Sequence, residues 1–252
     1  MVDIKVKLAN SGNYGGTRQL SNIKYIVIHY TANDGDTDEN NGKYFANNVV
    51  TASAHYFVDS DSITQSVPDI CTAYAVGGSR YSNYQTTGGA SHYKKCTNAN
   101  SLSIELCDDV KNGVVYPSQK TIDNALDLTR MLMAKYNIPA ANVIRHFDVT
   151  GKICPAYWAG KANAAKWKAE FWNKLSDASE PITSPTKTAN VLPYLVRITA
   201  DKLNVRADAG AHYKINTAVT KGGVFTIVEE KNGWGKLKSG AGWISLHYTK
   251  KL

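Results

Sequence analysis

The sequence predicts an α/β domain, with a mixed central β-sheet flanked by helices, followed by a small all-β barrel. Short β-branched and aromatic runs mixed with segments of helical period occupy residues 1–175. A segment rich in Ser, Thr, Pro and Ala without a hydrophobic period, residues 176–193, indicates a linker. Short strand-like runs separated by glycine-bearing turns fill residues 194–252.

The first domain contains three runs that predict strands and two segments that predict helices. One helix begins after Pro117 and Ser118, and its apolar positions between Ile122 and Tyr136 follow a 3.6-residue period. A second helix is expected from about residue 161 to residue 175, with Trp167 and Phe171 on its apolar face. The predicted strands, each short and β-branched or aromatic, are residues 24–31, 53–59 and 101–107.

The last 59 residues show no helical period. Their short apolar runs predict a barrel whose core includes Leu203, Val205, Ile227 and Trp243. Residues 194–252 carry ten Lys and Arg against four Asp and Glu, which places most of the net charge of +8 in this part of the chain. Such a basic excess predicts an anionic partner, either nucleic acid or an acidic cell surface. No nucleic-acid-binding motif accompanies the charge, so we expect no nucleic-acid partner.

The bulk composition limits the class of protein. No run of 18 apolar residues is present, so membrane insertion is not expected. The N-terminal residues lack the pattern of a signal peptide, which predicts production in the cytoplasm. Four scattered cysteines are too few for a disulfide framework and favour a reducing compartment.

A candidate metal site comes from two separated segments. His29 ends the first predicted strand, on the face that it shares with Tyr25 and Val27, and strand ends are where open α/β sheets build their sites. His146 and Cys154 lie eight residues apart in IRHFDVTGKICP. Two histidines, one cysteine and a water are typical of a catalytic zinc site. The spacing alone is also compatible with no metal site, in which case Cys154 would be a buried core residue and His146 a polar residue without a ligand.

Two further residues could do chemistry beside such a metal. Glu105 lies in an apolar strand, where a carboxylate is either salt-bridged or a general base with a raised pKa. Lys152 is two residues before Cys154, and it is either a solvated loop lysine or a group that stabilises an oxyanion. Asp148, in the same segment, is interpreted as an acid of the turn or of the metal's surroundings.

Four motifs in order, VIHYT, SAHYFVD, NANSLSIELC and RHFDVTGKICP, carry a family resemblance. The chain from residue 4 to about residue 175 resembles the zinc-dependent N-acetylmuramoyl-L-alanine amidases that are related to peptidoglycan recognition proteins, and more narrowly the endolysins of bacteriophages. The resemblance implies one zinc ion held by His29, His146 and Cys154, with Glu105 acting on the attacking water and Lys152 facing the oxyanion. It further implies hydrolysis of the bond between N-acetylmuramic acid and L-alanine in bacterial peptidoglycan, with action on the cell wall after release.

The sequence departs from the family pattern at two positions. Ala54 stands where some members have a catalytic tyrosine, which makes Glu105 the expected proton-handling group. Ala156 follows the proline that is usually followed by glycine. His55 is expected near the site, in a supporting or a structural role. Residues 77–100 form a long Gly- and Tyr-rich loop, which is typical of a substrate wall.

The last 59 residues resemble bacterial SH3-type wall-binding domains, chiefly in LNVRADAG and in GWGKL followed by GWISLHY. This resemblance implies a wall ligand, for which Tyr213, Trp234 and Tyr248 are candidate contacts. The basic charge suits anionic wall polymers.

Two other functions remain to be weighed. A peptidoglycan-binding protein without activity is the main alternative, but such relatives generally lack the cysteine ligand, whereas Cys154 and Lys152 are both present. A cysteine peptidase would need a nucleophile paired with histidine, usually at a helix start, and Cys154 followed by proline fits this poorly.

Overall fold

The computed structural model describes residues 2–175, 192–210, 213–231 and 233–252. The chain divides into two compact units, Met1–Ile182 and Thr183–Leu252. The predicted linker, residues 176–193, lies outside the described residues except for its last two positions. Within the described ranges, no helix has the length and apolar character needed to cross a membrane.

The first unit is a mixed α/β structure, as predicted. Its strands are β1 Ile4–Val6, β2 Tyr14–Thr17, β3 Tyr25–Tyr30, β4 Tyr56–Val58, β5 Ile63–Gln65, β6 Cys71–Ala73, β7 Ser101–Leu106 and β8 Val143–Arg145. Its helices are α1 Asp38–Asn47, α2 Tyr84–Thr87, α3 Gln119–Tyr136, α4 His146–Thr150 and α5 Ala164–Trp167.

Six strands form the central sheet in the order β1-β5-β4-β7-β3-β8, and β2 pairs with β6 in a separate ribbon. The strand β3 is parallel to both β7 and β8, and β4 is parallel to β7. The carboxyl ends of four neighbouring strands therefore lie at one edge of the sheet, which is where parallel sheets present functional side chains.

The two faces of β3 and β7 have different neighbours. Ile26 and Ile28 of β3 belong to the main core, together with Leu102 and Ile104 of β7 and the apolar face of α3. Val27 points to the opposite face, into a smaller cluster with residues of α4 and of the 77–100 loop. Because side chains alternate along a strand, His29 and Glu105 lie on this second face.

The helix α3 begins where the sequence predicted it. Ser118 is the N-cap, and its hydroxyl accepts a hydrogen bond from the backbone N–H of Thr121. The helix ends at Asn137, which adopts the left-handed conformation with φ of 53°. The predicted positions Ile122, Ala125, Leu126, Thr129 and Leu132 are buried.

The second predicted helix differs from the expectation at both ends. It begins at Ala164 rather than at residue 161, because Gly160, with φ of 85°, and the turn after it separate the helix from the preceding segment. Beyond Trp167 the chain continues as a π-helical turn, Lys168–Trp172, and a 3₁₀ turn, Asn173–Leu175. Trp167, Phe171 and Leu175 are nevertheless buried in the main core, as predicted.

The described part of the second unit forms one sheet of seven strands, which are numbered β9 to β15 along the chain with the ranges given below, in the order β11-β10-β14-β13-β12-β9-β15. Its core contains Leu203, Val205 and Ile227, and Trp243 is also buried, as the sequence predicted. The strands are β9 Tyr194–Ile198, β10 Lys202–Arg206, β11 Ile215–Thr220, β12 Val224–Lys231, β13 Trp234–Leu237, β14 Trp243–Ser245 and β15 Thr249–Lys251.

Candidate metal centre and active site

Neighbouring strands bring the predicted site residues together. In the register of β3 with β7, His29 lies directly opposite Glu105. The strand β8 pairs with the other side of β3 and ends at Arg145, so that His146, the first residue of α4, follows at the same edge. Cys154 returns to this edge after α4, and its backbone carbonyl accepts a hydrogen bond of 2.9 Å from the N–H of Phe147.

His29, His146 and Cys154 form a cluster whose donor atoms all lie within 4.8 Å of one another. The Cys154 Sγ is 3.9 Å from His29 Nδ1, close to the roughly 3.6 Å expected between a sulfur and a nitrogen on one tetrahedral zinc ion. All three residues are buried, at 2%, 5% and 3% exposure. The predicted set of metal ligands is therefore brought together by the fold.

Several polar atoms of the cluster and of the neighbouring Glu105 are buried without a hydrogen-bond partner. Among the described residues these include His29 Nε2, His146 Nδ1 and Glu105 Oε2. A buried polar atom without a partner costs about 1–3 kcal/mol. Imidazole nitrogen and thiolate are preferred zinc donors, so this donor set fits a zinc ion, which would give His146 Nδ1 a partner.

Burial also sets the protonation of the ligands. It lowers the pKa of His29 well below its ordinary value, and burial followed by the charge of Lys152 lowers the pKa of His146 to about 4. Both imidazoles are therefore neutral near pH 7, the form that binds metal. Burial raises the pKa of the Cys154 thiol to about 12. The backbone N–H of Tyr30 donates to this sulfur and partly opposes that shift.

Glu105 lies beside the cluster, and its Oε1 is 3.8 Å from His29 Nδ1. Burial raises the pKa of Glu105 to about 8, although the nearby Lys152 acts in the opposite direction. The side chain keeps 20% of its surface exposed and lines an open cleft of about 660 Å³. Cys154 and Lys152 line the same cleft. A carboxyl group with a pKa near neutrality at a cleft wall suits proton transfer.

The turn that carries His146 is held by a buried ion pair. Asp148 accepts hydrogen bonds from the backbone N–H of Arg145 at 2.9 Å, from its Nε at 2.9 Å and from its Nη2 at 2.7 Å. Arg145 is 8% exposed and also donates through Nη1 to the carbonyl of Trp158. Asp148 therefore fixes the start of α4. The sequence suggested an acid of the turn but not its arginine partner.

The helix α4 ends at Gly151, whose φ of 85° favours glycine. This residue turns the chain toward Lys152, an exposed side chain at the mouth of the site. Gly89 of the 77–100 loop packs directly on this turn, since a Cβ atom there would lie 2.8 Å from the Gly151 Cα.

His55 is not one of the clustered metal donors. Its Nδ1 accepts a hydrogen bond from the N–H of Ser103, and its Nε2 lies 3.2 Å from the carbonyl oxygen of Cys71 and 3.0 Å from Arg18 Nη2. Burial, followed by the charge of Arg18, lowers its pKa to about 4. The neutral ring thus supports β7 two residues before Glu105.

The structure also shows residues around the site that the sequence did not single out. The cleft of Glu105 is further lined by Tyr30, Asp36, Asn41 and Tyr44. Asp36 accepts hydrogen bonds from Thr31 at 3.0 Å and Asn41 at 2.6 Å. The sequence pointed to this region only through the polar loop after His29. That loop indicates the end of a strand but does not identify which residues line the cleft.

The three candidate wall-binding residues of the second unit differ in exposure. Tyr248 is 47% exposed, whereas Tyr213 and Trp234 are partly buried. Trp234 begins β13, and the backbone carbonyl of Tyr213 accepts a hydrogen bond from Arg206. Their role in binding stays a prediction.

Comparison with known proteins identifies the first unit. Residues 19–157 match the model of the N-acetylmuramoyl-L-alanine amidase family. The chain is 32% identical over 150 residues to the N-acetylmuramoyl-L-alanine amidase CwlL of Bacillus licheniformis, covering 58% of this chain and 39% of the relative. It is 30% identical over 225 residues to the amidase BlyA of Bacillus subtilis strain 168, covering 84% of this chain and 60% of the relative.

Solved structures agree with this similarity. The solution structure of the PlyG catalytic domain, 31% identical, aligns with a TM-score of 0.54 and covers 73% of this chain and all of that one. A mutant endolysin from Bacillus subtilis, 28% identical, aligns with a TM-score of 0.53 over 69% of this chain and 99% of that one. The chain spans between 39% and 60% of the length of the first three curated relatives. From its sequence, its fold and the matched region, the chain belongs to the N-acetylmuramoyl-L-alanine amidase family.

Proposed function

We propose that the protein is a zinc-dependent peptidoglycan hydrolase of the endolysin type. It cleaves the amide bond between the lactyl group of N-acetylmuramic acid and the L-alanine of the stem peptide. The observation that carries this proposal is the convergence of His29, His146 and Cys154 beside Glu105 at the wall of an open cleft. The family membership supplies the bond that is cut.

His29, His146 and Cys154 are the residues that would hold one zinc ion. When bound, zinc supplies a Lewis acid that lowers the pKa of a water molecule and polarises a carbonyl group. Two neutral imidazoles and one thiolate are three protein donors, the number typical of a catalytic zinc site that would also bind water. The backbone N–H of Tyr30 supports the thiolate form of Cys154 by donating to its sulfur.

Glu105 is the general base. Its carboxylate takes the proton of the attacking water and returns it to the leaving amine of L-alanine. Some relatives have a catalytic tyrosine at the position of Ala54. Because alanine cannot transfer a proton, Glu105 is the group that handles it here. Burial raises the pKa of Glu105 to about 8, and the charge of Lys152 acts against this shift and favours the ionised form that a base requires.

Lys152 stabilises the developing negative charge on the carbonyl oxygen. Its ammonium group stands at the wall of the cleft shared with Glu105 and Cys154, and it is near enough to His146 to lower the pKa of that ring. A positive charge placed where an oxyanion forms is worth more in such a partly water-excluded site than in bulk water.

The second unit, from about residue 194 to residue 252, is an SH3-type domain that binds the cell wall. Its all-β sheet, its basic charge and its exposed Tyr248 support this assignment. Its ligand is the wall itself, with anionic polymers as the partners that the charge favours. Tyr213 and Trp234 complete the candidate contact set. The catalytic domain occupies residues 1–175, and residues 176–193 link the two.

The decisive experiment is mass spectrometry of bacterial peptidoglycan digested by the zinc-loaded protein. We expect new amino termini on L-alanine and no new reducing sugars. Glu105→Gln should lower the rate by at least ~100-fold, the usual size of general-base catalysis, with its zinc content unchanged. Cys154→Ser should lose zinc.

Glu39→Gln and Cys71→Ser are the matched controls, because Glu39 is exposed and Cys71 is a free cysteine outside the donor cluster. Wall binding without cleavage by the zinc-loaded protein would instead show a non-catalytic binding protein. Retention of the full rate by Glu105→Gln would exclude the assigned base.

A further inference from the structure

A second cleft, of about 720 Å³, shares Lys152 with the first and reaches the metal ligand His146. The two clefts differ in charge. Asp36 and Glu105 line the first, whereas the described residues of the second include no Asp or Glu and add Arg80 to Lys152. The site therefore has one mixed-charge compartment and one purely basic compartment.

Arg80 is held in place by aromatic rings rather than by an acid. Its guanidinium carbon lies 3.9 Å from the ring centroid of Tyr84 and 5.3 Å from that of Tyr93. Attraction between a cation and the faces of aromatic rings holds the guanidinium near these tyrosines without using its N–H donors for an ion pair. Across the parts of the chain that the structure describes, this exposed side chain forms no ion pair with a carboxylate.

The loop that carries Arg80 is fixed to the segment that carries His146. The N–H of Tyr81 donates to the carbonyl of Thr150 at 2.8 Å. Further along the loop, the N–H of Ala90 donates to the backbone carbonyl of Phe147 at 3.0 Å. The N–H of His92 donates to the backbone carbonyl of Asp148 at 2.8 Å. Arg80 therefore has a set position relative to the metal ligand.

The substrate has two arms of different charge. The N-acetylated sugars of the glycan are neutral, and the lactyl carboxyl group is consumed in the amide bond. The stem peptide keeps free carboxylates. A carboxylate in the first cleft would meet the acidic side chains of Asp36 and Glu105, whereas the charged side chains that line the second cleft are Arg80 and Lys152. The first cleft also has neutral polar side chains that could contact a sugar, namely Tyr30, Asn41 and Tyr44.

We propose that the second cleft binds the stem peptide and that Arg80 pairs with one of its carboxylates. The planar guanidinium matches a carboxylate with two parallel hydrogen bonds, which makes Arg80 a specificity-determining residue. This inference rests on the proposed function. The carboxylate belongs either to the second residue of the peptide or to its C-terminus, and both present the same chemistry.

Three synthetic N-acetylmuramoyl tripeptides test the inference with the zinc-loaded full chain. One carries both carboxylates free, one is amidated at the second residue, and one is amidated at the C-terminus. We expect the wild type to prefer the free acid by about tenfold in kcat/KM, the scale of one charge-assisted pair. Arg80→Gln should lose that preference. The amide that the wild type cleaves poorly identifies the recognised carboxylate.

Lys95→Gln is the matched control, because Lys95 is exposed in the same loop and lines neither cleft. If Arg80→Gln keeps the wild-type order of the three substrates, the inference is wrong. The affinity of each protein for the free tripeptide, measured by calorimetry, distinguishes a failure of this inference from a failure of the proposed function. Absence of cleavage by the wild type counts against the amidase activity, while equal peptide affinity of wild type and Arg80→Gln overturns the inference itself.

Discussion

Replacement of Asp148 by Asn should destabilise the first unit by about 3 kcal/mol. The Asp148 carboxylate accepts three hydrogen bonds from Arg145, and the two side chains are only 14% and 10% exposed. Removing one partner of a buried ion pair costs about 3–5 kcal/mol, because the other charge is left uncompensated. Asparagine keeps one carbonyl acceptor, which places the expected value at the lower end of that range.

The assay is native-state hydrogen exchange of the zinc-loaded chain, resolved by peptide mass spectrometry. Amides of β3 and β7, in the middle of the central sheet, report global unfolding of the first unit. Amides of β9 in the second unit serve as an internal reference that the substitution should not change. The control Asp123→Asn alters an exposed acid whose contact is a hydrogen bond from Gln119, and it should cost less than about 0.5 kcal/mol.

Zinc affinity provides a second measurement on the same variant. Residues that orient metal ligands typically contribute 10–100-fold to affinity, and Asp148 fixes the turn that begins with His146. We expect a loss of about tenfold. If Asp148→Asn matches Asp123→Asn in exchange protection and in zinc affinity, the pair does not hold the site, and the argument from its burial is refuted.

Two further predictions concern the pH dependence and the second unit. Burial and the neighbouring Asp59 raise the pKa of Asp38 to about 6, above an unfolded value of about 4. Stability from this group is thus fully present below pH 4 and is lost as the pH rises through 6. In Asp38→Asn, the free energy of unfolding measured by urea denaturation should therefore change less between pH 4 and pH 7 than in the wild type. The same pH dependence in both proteins would contradict this. Removal of residues 177–252 should weaken sedimentation with purified cell walls at unchanged zinc content, and undiminished sedimentation would argue against a wall-binding unit.

The fold was predictable from sequence where the hydrophobic pattern is long. The strands β3 and β7 are runs of six residues that are buried almost throughout, and the helix α3 buries one face with a 3.6-residue period, so an apolar run or a period revealed them. Strands of three residues, such as β5 and β6, offer too few positions for a period. The irregular end of the last helix, with its π-helical turn, depends on packing of Trp167 and Phe171 in the core rather than on local propensity.

The site was predictable as a set of residues but not as an arrangement. The motifs identified His29, His146, Cys154 and Glu105 because their chemistry is unusual for the segments that contain them. The register that places His29 opposite Glu105 is a tertiary property. The sequence did not single out Arg80, because contacts between an arginine and tyrosines of the same loop produce no periodic pattern of residues.

The alternation of β3 and β7 explains how one small sheet supplies both stability and chemistry. Ile26, Ile28, Leu102 and Ile104 bury one face against α3 and hold the register, while the opposite face carries His29 and Glu105. A slip of one residue between these strands would move Glu105 away from His29 and place a charged group in the main core. The apolar face thus disfavours a one-residue slip that would separate Glu105 from His29, and the placement of these two side chains follows from the packing of residues on the opposite face of the strands.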